Sequence, residues 1–196
     1  MKSRFGDTIA VVCWHPFASD TFSINPGDSI RLARFPHVQG EPYLAMDGYY
    51  RVAMPGQPAD YYQTFLNAIS RARSLPSYAS VVATGEADST SGRVFVQVTL
   101  DEIPPGSRPT LYCLVLEDSL AAGPATFNHV PRAFVPGPEG IPLALARRDT
   151  LFDTLEFSTA GTRPENLSAV LFVEDATSDT VMQAYLVRRF TLREEQ

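Results

Sequence analysis

The sequence predicts an α/β part over residues 1–76 followed by an antiparallel, immunoglobulin-like β-sandwich over residues 77–196. Three observations carry this reading. A one-faced helical pattern ends at Leu75-Pro76-Ser77 and gives way to short runs of period two. The one nearly continuous apolar run, Thr8 to His15, lies before that point, and the runs after it recur at the spacing of a two-sheet sandwich.

The elements follow in order. Thr8 to His15 is bounded by Gly6-Asp7 and Pro16 and reads as a strand covered on both faces, as in α/β sheets. Asn25-Pro26-Gly27-Asp28 carries a cap residue, a proline at the first helical position and an early carboxylate, so a short helix is expected to about Phe35. Pro42 to Met46 and Tyr49 to Met54 flank Asp47-Gly48, a pair suited to the positive φ angles of a type I′ hairpin turn. Asp60 and Gln63 resemble a capping box, and Tyr62, Phe65, Leu66 and Ile69 keep one face of the helix that follows. Arg71 and Arg73 suit its negative end, and Pro76 stops it.

Beyond the boundary, Val94, Val96, Val98 and Leu100 alternate with Phe95, Gln97 and Thr99, and Leu111, Cys113 and Val115 alternate with Tyr112, Leu114 and Leu116. Further strands are expected at Tyr78 to Glu86, Leu151 to Phe157, Leu167 to Glu174 and Thr180 to Phe190, six or seven in all. The last two flank a polar loop of hairpin length, Asp175 to Asp179.

Composition excludes several functions. With 196 residues, 44% hydrophobic and 19% charged, the chain is long enough for one large or two small globular domains with a real core. The net charge is −6 and Lys2 is the only lysine, so no basic stripe exists to neutralise a run of phosphates, and nucleic acid is not an expected partner. No apolar run approaches the ~20 residues of a membrane-spanning helix. Two cysteines and three histidines, of which only Cys13 and His15 are close in sequence, leave no expected metal site or disulfide framework, and no cofactor motif appears.

Val38-Gln39-Gly40-Glu41-Pro42-Tyr43-Leu44-Ala45-Met46-Asp47-Gly48 resembles the cis-proline loop and following hairpin of a thioredoxin-like domain. Tyr112 to Asp118, Asn128-His129-Val130-Pro131-Arg132 and the hairpin from Leu167 to Phe190 resemble the second half of a bacterial envelope family, the outer membrane protein twenty-eight family, in which a thioredoxin-like domain precedes a β-sandwich. The resemblance implies that architecture and a location outside the cytoplasm. It departs from the family at the start: Met1 to Asp7 looks like the tail of the first helix, so the first strand and any Cys-x-x-Cys pair are absent. The expected remedy is direct pairing of Ile9 to Trp14 with Pro42 to Met46, or a strand from another chain, because unpaired backbone does not stay buried.

Among single residues, Cys13 and Cys113 both look inward on expected strands and read as inert core thiols, the alternative being a disulfide between the two parts. His15 ends the first expected strand, at the sheet edge where α/β folds place ligands; a proton carrier assisted by Asp20 or Asp28 and a loop-anchoring hydrogen bond are the two readings, the second favoured. Glu41-Pro42 is the implied cis peptide beside a peptide-binding groove, kept as a structural turn or for residual peptide binding. Asn128, His129 and Arg132 lie in a long Pro- and Gly-rich connection, where they bind a ligand or anchor the loop. Tyr43, Tyr49, Tyr50, Tyr61 and Tyr62 cluster near the hairpin, for internal packing or an interface. No nucleophile, base and oxyanion constellation is recognisable, so the expected function is a non-catalytic envelope or extracellular module that binds a protein partner or self-associates, with strand complementation as one route. The alternative is a fragment of a thiol-disulfide oxidoreductase whose Cys-x-x-Cys lies upstream of Met1.

Overall fold

The computed structural model describes residues 9–15, 21–22, 24, 43–48, 50–53 and 58–194. The expected helix from Asn25 to Phe35 and the Glu41-Pro42 peptide lie outside them, as does Tyr49. Strands β1 (Tyr43–Met46) and β2 (Tyr50–Ala53) form the expected hairpin, with Met46 paired to Tyr50. Asp47 and Gly48 have φ of 50° and 67°, the positive values expected, though the register leaves three residues between the strands rather than two. Helix α1 (Pro58–Ala72) follows and lies against β1. It begins at Pro58, two residues before the expected cap: proline is favoured at the first helical position, and Gln63 bonds Asn67 along the exposed face instead of closing a box. Leu66 and Ile69 of the expected face are buried and Phe65 is half-buried, with Ala68 joining them, while Tyr62 is 47% exposed, so the buried stripe lacks only the first expected residue.

The sandwich is built on strands of six to ten residues whose alternation fixes which side faces in. Strands β3 (Ala79–Ala87), β4 (Ser91–Leu100) and β10 (Thr150–Ser158) form one sheet in the order β10-β4-β3, extended by a short parallel strand β13 (Thr191–Leu192). The facing sheet has the order β12-β11-β5-β8, from β5 (Pro109–Glu117), β8 (Val130–Val135), β11 (Leu167–Asp175) and β12 (Thr180–Val187). A hairpin of β6 (Leu120–Ala122) and β7 (Ala125–Phe127) projects between β5 and β8, and β9 (Ile141–Pro142) adds to β5. Val81, Ala83, Val94, Val96 and Val98 pack inward against Leu111, Cys113, Val115, Leu171 and Val173. Each of these valine and leucine side chains contributes about 1.5–3 kcal/mol when fully buried. Val130 to Val135, expected inside a long connection, is a strand: Val130 and Val135 are buried, and β8 supplies the fourth member of the sheet.

The first apolar run departs most from expectation. Residues 9–15 join no ladder, and β1 and β2 form a two-stranded sheet, so among the described residues the expected pairing of Ile9 to Trp14 with Pro42 to Met46 is not made. Ala10, Val12 and Trp14 instead lie on the outer face of the second sheet, over Leu114, Leu116 and Val170, while Val11 and Cys13 point out. The run is thus covered on one face. Its covering role explains why Leu114 and Leu116, on the side of β5 turned away from the core, are buried; on the same side Tyr112 is covered by stacking on Phe172.

Candidate functional site

Of the residues singled out by sequence, His15, Asn128 and His129 come together at one corner of the sandwich, where segment 9–15 crosses the base of the β6–β7 hairpin. Asp118 and Asn128 brace that base reciprocally. The Asp118 Oδ1 accepts the backbone N–H of His129 at 2.6 Å and lies 3.2 Å from its Nδ1, while the Asn128 Oδ1 accepts the N–H of Ser119 at 2.9 Å. Ser119 and His129 both have positive φ, 61° and 60°, a conformation that such side-chain acceptors hold in place. The His129 carbonyl then accepts the Cys13 N–H at 2.8 Å and ties the N-terminal segment to the corner. His15 packs edge-on against Phe22 and Phe127, with ring centroids 5.5 and 5.4 Å away, and Trp14 packs edge-on against Phe134.

Arg132 faces a different task. Glu117 is buried, its Oε1 accepting the N–H of Arg163 at 2.9 Å. The Arg132 Nε lies 3.2 Å from Oε2, close enough for an ion pair though not aligned as a hydrogen bond, and its Nη2 donates to the Gly161 carbonyl at 3.2 Å. The pair locks the loop after β10 to β5 and β8. A buried carboxylate needs such a partner.

The chemistry of this corner is that of an anchor. Cys13, expected in the core, is exposed, because the segment that carries it lies on the surface of a sheet rather than within one. Partial burial and then the negative charge of Asp118 raise its thiol above the usual range, the reverse of what activates a nucleophile. Cys113 is buried as expected and burial pushes it up to about 12. The two thiols are free, so the alternative of a bond between them is not realised. Among the described residues no three His, Cys, Asp or Glu side chains gather as a metal site.

A second candidate surface was not singled out by sequence. On the outer face of the β10-β4-β3 sheet, Val82, Phe95 and Phe152 are 51%, 41% and 72% exposed. Val82 and Phe152 flank Gln97 in one cross-strand row, and Phe95, in the next, is the diagonal neighbour of each and within side-chain reach of both. They line a shallow concavity with Thr84 and Thr154. The available signal was an apolar residue at the outward parity of three separate strands, but only the register shows that the three adjoin.

No helix among the described residues is long and apolar enough to cross a membrane. No family model and no curated protein sequence matches the chain. HBP35 of Porphyromonas gingivalis is similar in structure, with a TM-score of 0.72 at 14% identity over 91% of this chain and 64% of that one. This chain therefore spans somewhat less than two thirds of the HBP35 chain, and the likeness is one of fold. A domain of the outer membrane lipoprotein Omp28 from the same organism superposes with a TM-score of 0.47 at 21% identity, over 60% of this chain and 92% of that domain. A β-glucosidase from Listeria innocua aligns with 59% of this chain and 17% of its own at a TM-score of 0.35 and 16% identity.

Proposed function

We propose that this chain is a non-catalytic protein-binding module, placed outside the cytoplasm, in which a thioredoxin-like part (residues 1–76) braces an immunoglobulin-like sandwich (residues 77–196). The extracytoplasmic placement comes from the sequence resemblance to the outer membrane protein twenty-eight family. The β1–β2–α1 order supports the thioredoxin-like part, because it is the order in which that fold closes. The observation that carries the binding role is the exposed Val82, Phe95 and Phe152 face. The opposite sheet has its outer face covered by Ala10, Val12 and Trp14, whereas this one offers a contiguous apolar centre with a polar rim, the anatomy of an interaction surface.

The sheet edges are less suited to the task. On β10 the Asp153 Oδ1 accepts the neighbouring Thr154 N–H at 2.8 Å, and on β12 the Gln183 Oε1 accepts the Ala184 N–H at 2.9 Å. Both are outermost strands of their sheets, and an incoming strand competes with these acceptors. Photo-crosslinking tests the reading: a benzoylphenylalanine in place of Phe152 or Phe95, in the cells that make the protein, is expected to give protein adducts. The same residue at exposed Tyr62 is the control. Equal adduct yield at the three positions would overturn the reading.

A further inference from the structure

The N-terminal segment covers the second sheet as a ligand covers a site, and it is loosely held. From Ile9 to Trp14 the chain carries no charge, and its alternate side chains Ala10, Val12 and Trp14 lie on a face made by Leu114, Leu116 and Val170 with Phe134, Phe172 and Leu186 around them. Val11 and Cys13 are exposed, so the outer side of the segment is open to solvent. It enters no ladder, and among the described residues its one backbone hydrogen bond to the sandwich runs from the Cys13 N–H to the His129 carbonyl. Two polar groups on this face are unpaired. The Trp14 Nε1 is buried without an acceptor, and Ser168, which is 5% exposed and stands opposite Leu116 two residues before Val170, has a hydroxyl without a partner. Each is a cost that a well-fitted occupant avoids.

We propose that the outer face of the β12-β11-β5-β8 sheet is a peptide-binding site, filled in this chain by its own residues 9–15, and that its ligand is an extended, uncharged segment of another protein with apolar side chains at every second position. This site lies on the sheet opposite Val82, Phe95 and Phe152 and stands apart from the reading above. The seated segment defines the chemistry. A small, a β-branched and an aromatic residue at two-residue spacing rest on the face, the last packing edge-on against Phe134 with ring centroids 5.8 Å apart. A charge at any of the three positions would be set on apolar side chains and lose its hydration. Being part of the chain, residues 9–15 compete with any ligand at a high effective concentration, so the site stays closed to poor ligands and opens to one that fits better.

The test uses the full chain and a synthetic peptide with the sequence of residues 9–15, carrying Cys13→Ser and Trp14→Phe and ending in lysines for solubility. Trp14 is the only tryptophan of the chain, so tryptophan emission reports the segment alone. The peptide is expected to shift that emission to the red, saturably, as the indole leaves Phe134 for water. A peptide that also carries Val12→Ser is expected to be weaker by about tenfold or more, whereas one with Val11→Ser, altered on the outward side, should match the parent within about twofold. In the chain itself, Val12→Ser weakens the internal competitor, and a fluorescein-labelled parent peptide is expected to bind that variant at least about tenfold more tightly than the wild type. Circular dichroism checks that the variant keeps its sandwich, and the titrations of the wild-type chain decide the matter if it does not. Emission unmoved by millimolar peptide, equal potency of the Val11→Ser and Val12→Ser peptides, or equal affinity of the wild-type and folded Val12→Ser chains would each overturn the proposal. Sedimentation velocity of the same samples tests the rival occupant: a dimer that the peptide splits into monomers would assign the face to residues 9–15 of a second copy and overturn the reading of a different protein as ligand.

Discussion

The contact between the β1–β2 hairpin and the sandwich rests on one glycine, and Gly48→Ala tests it. Gly48 has φ of 67°, and a Cβ built there would overlap the carbonyl oxygen of Asp179 and lie 2.8 Å from its carbon. Both clashing atoms are backbone, so no rotamer change relieves them. An L-residue held at positive φ costs ~1–2 kcal/mol. To escape the overlap the hairpin tip must lift, breaking the 3.0 Å hydrogen bond from the Val181 N–H to the Asp47 carbonyl, a further ~0.5–1.5 kcal/mol net. The expected loss is about 2–3 kcal/mol. Gly106→Ala is the control, since Gly106 has φ of 78° with open space around its missing Cβ and carries the backbone cost alone. Urea denaturation is expected to separate the variants by the hydrogen-bond part, and amide exchange at Val181 is expected to quicken in Gly48→Ala only. Equal stability and equal Val181 protection in the two variants would refute the docking argument.

Further expectations follow from the same structure. Arg132→Met leaves the Glu117 carboxylate buried without its cation and is expected to cost about 3–5 kcal/mol in denaturant unfolding, with Glu117→Gln in the same background recovering part of it. Asp88 is held well below the usual carboxylate range by the hydroxyl and N–H of Thr90, the N–H of Ser91 and then Arg193. Asp175 is lowered too, although partial burial pushes the other way, by the N–H groups of Arg108 and Thr177 and the hydroxyls of Ser178 and Thr177. Both shifts are downward, so their stabilisation is complete above the unfolded carboxylate pKa of ~3.9 and is lost as pH falls below it; melting temperature should drop more steeply below about pH 4 in the wild type than in Asp88→Asn with Asp175→Asn. Alkylation of the native chain should modify Cys13, slowly at neutral pH and faster in alkali, and reach Cys113 only on unfolding; a native chain with neither thiol reactive would contradict the placement of Cys13.

The period-two runs of the sandwich were legible because alternation and burial agree there: Val94, Val96 and Val98 face in, and Phe95 and Gln97 face out. The polar loop after Asp175 was legible for a similar reason, since its side chain bonds the N–H of Thr177 and the hydroxyl of Ser178, the local chemistry of a turn. The run from Ile9 to Trp14 was not. Both of its alternating sets are apolar, so the pattern cannot distinguish a strand inside a sheet from a segment laid across one. At the candidate corner, proximity in sequence marked Asn128 and His129, but the partners that define their roles, Asp118, Ser119 and Cys13, come from elsewhere in the chain. Glu117 closes an apolar run and gives no local sign that it forms an ion pair with Arg132 on the neighbouring strand. The exposed face needed the register of three strands, with β10 arriving about fifty residues after β4.

The central claim, that the Val82, Phe95 and Phe152 face is covered when the protein works, is tested most directly by hydroxyl-radical footprinting of the side chains. Oxidation would be compared between dilute purified protein and the protein in its cellular setting. The account predicts strong protection of Phe152 and Phe95 in the cell with Tyr62 equally reactive in both states. Equal oxidation of Phe152 and Phe95 in the two states would contradict it.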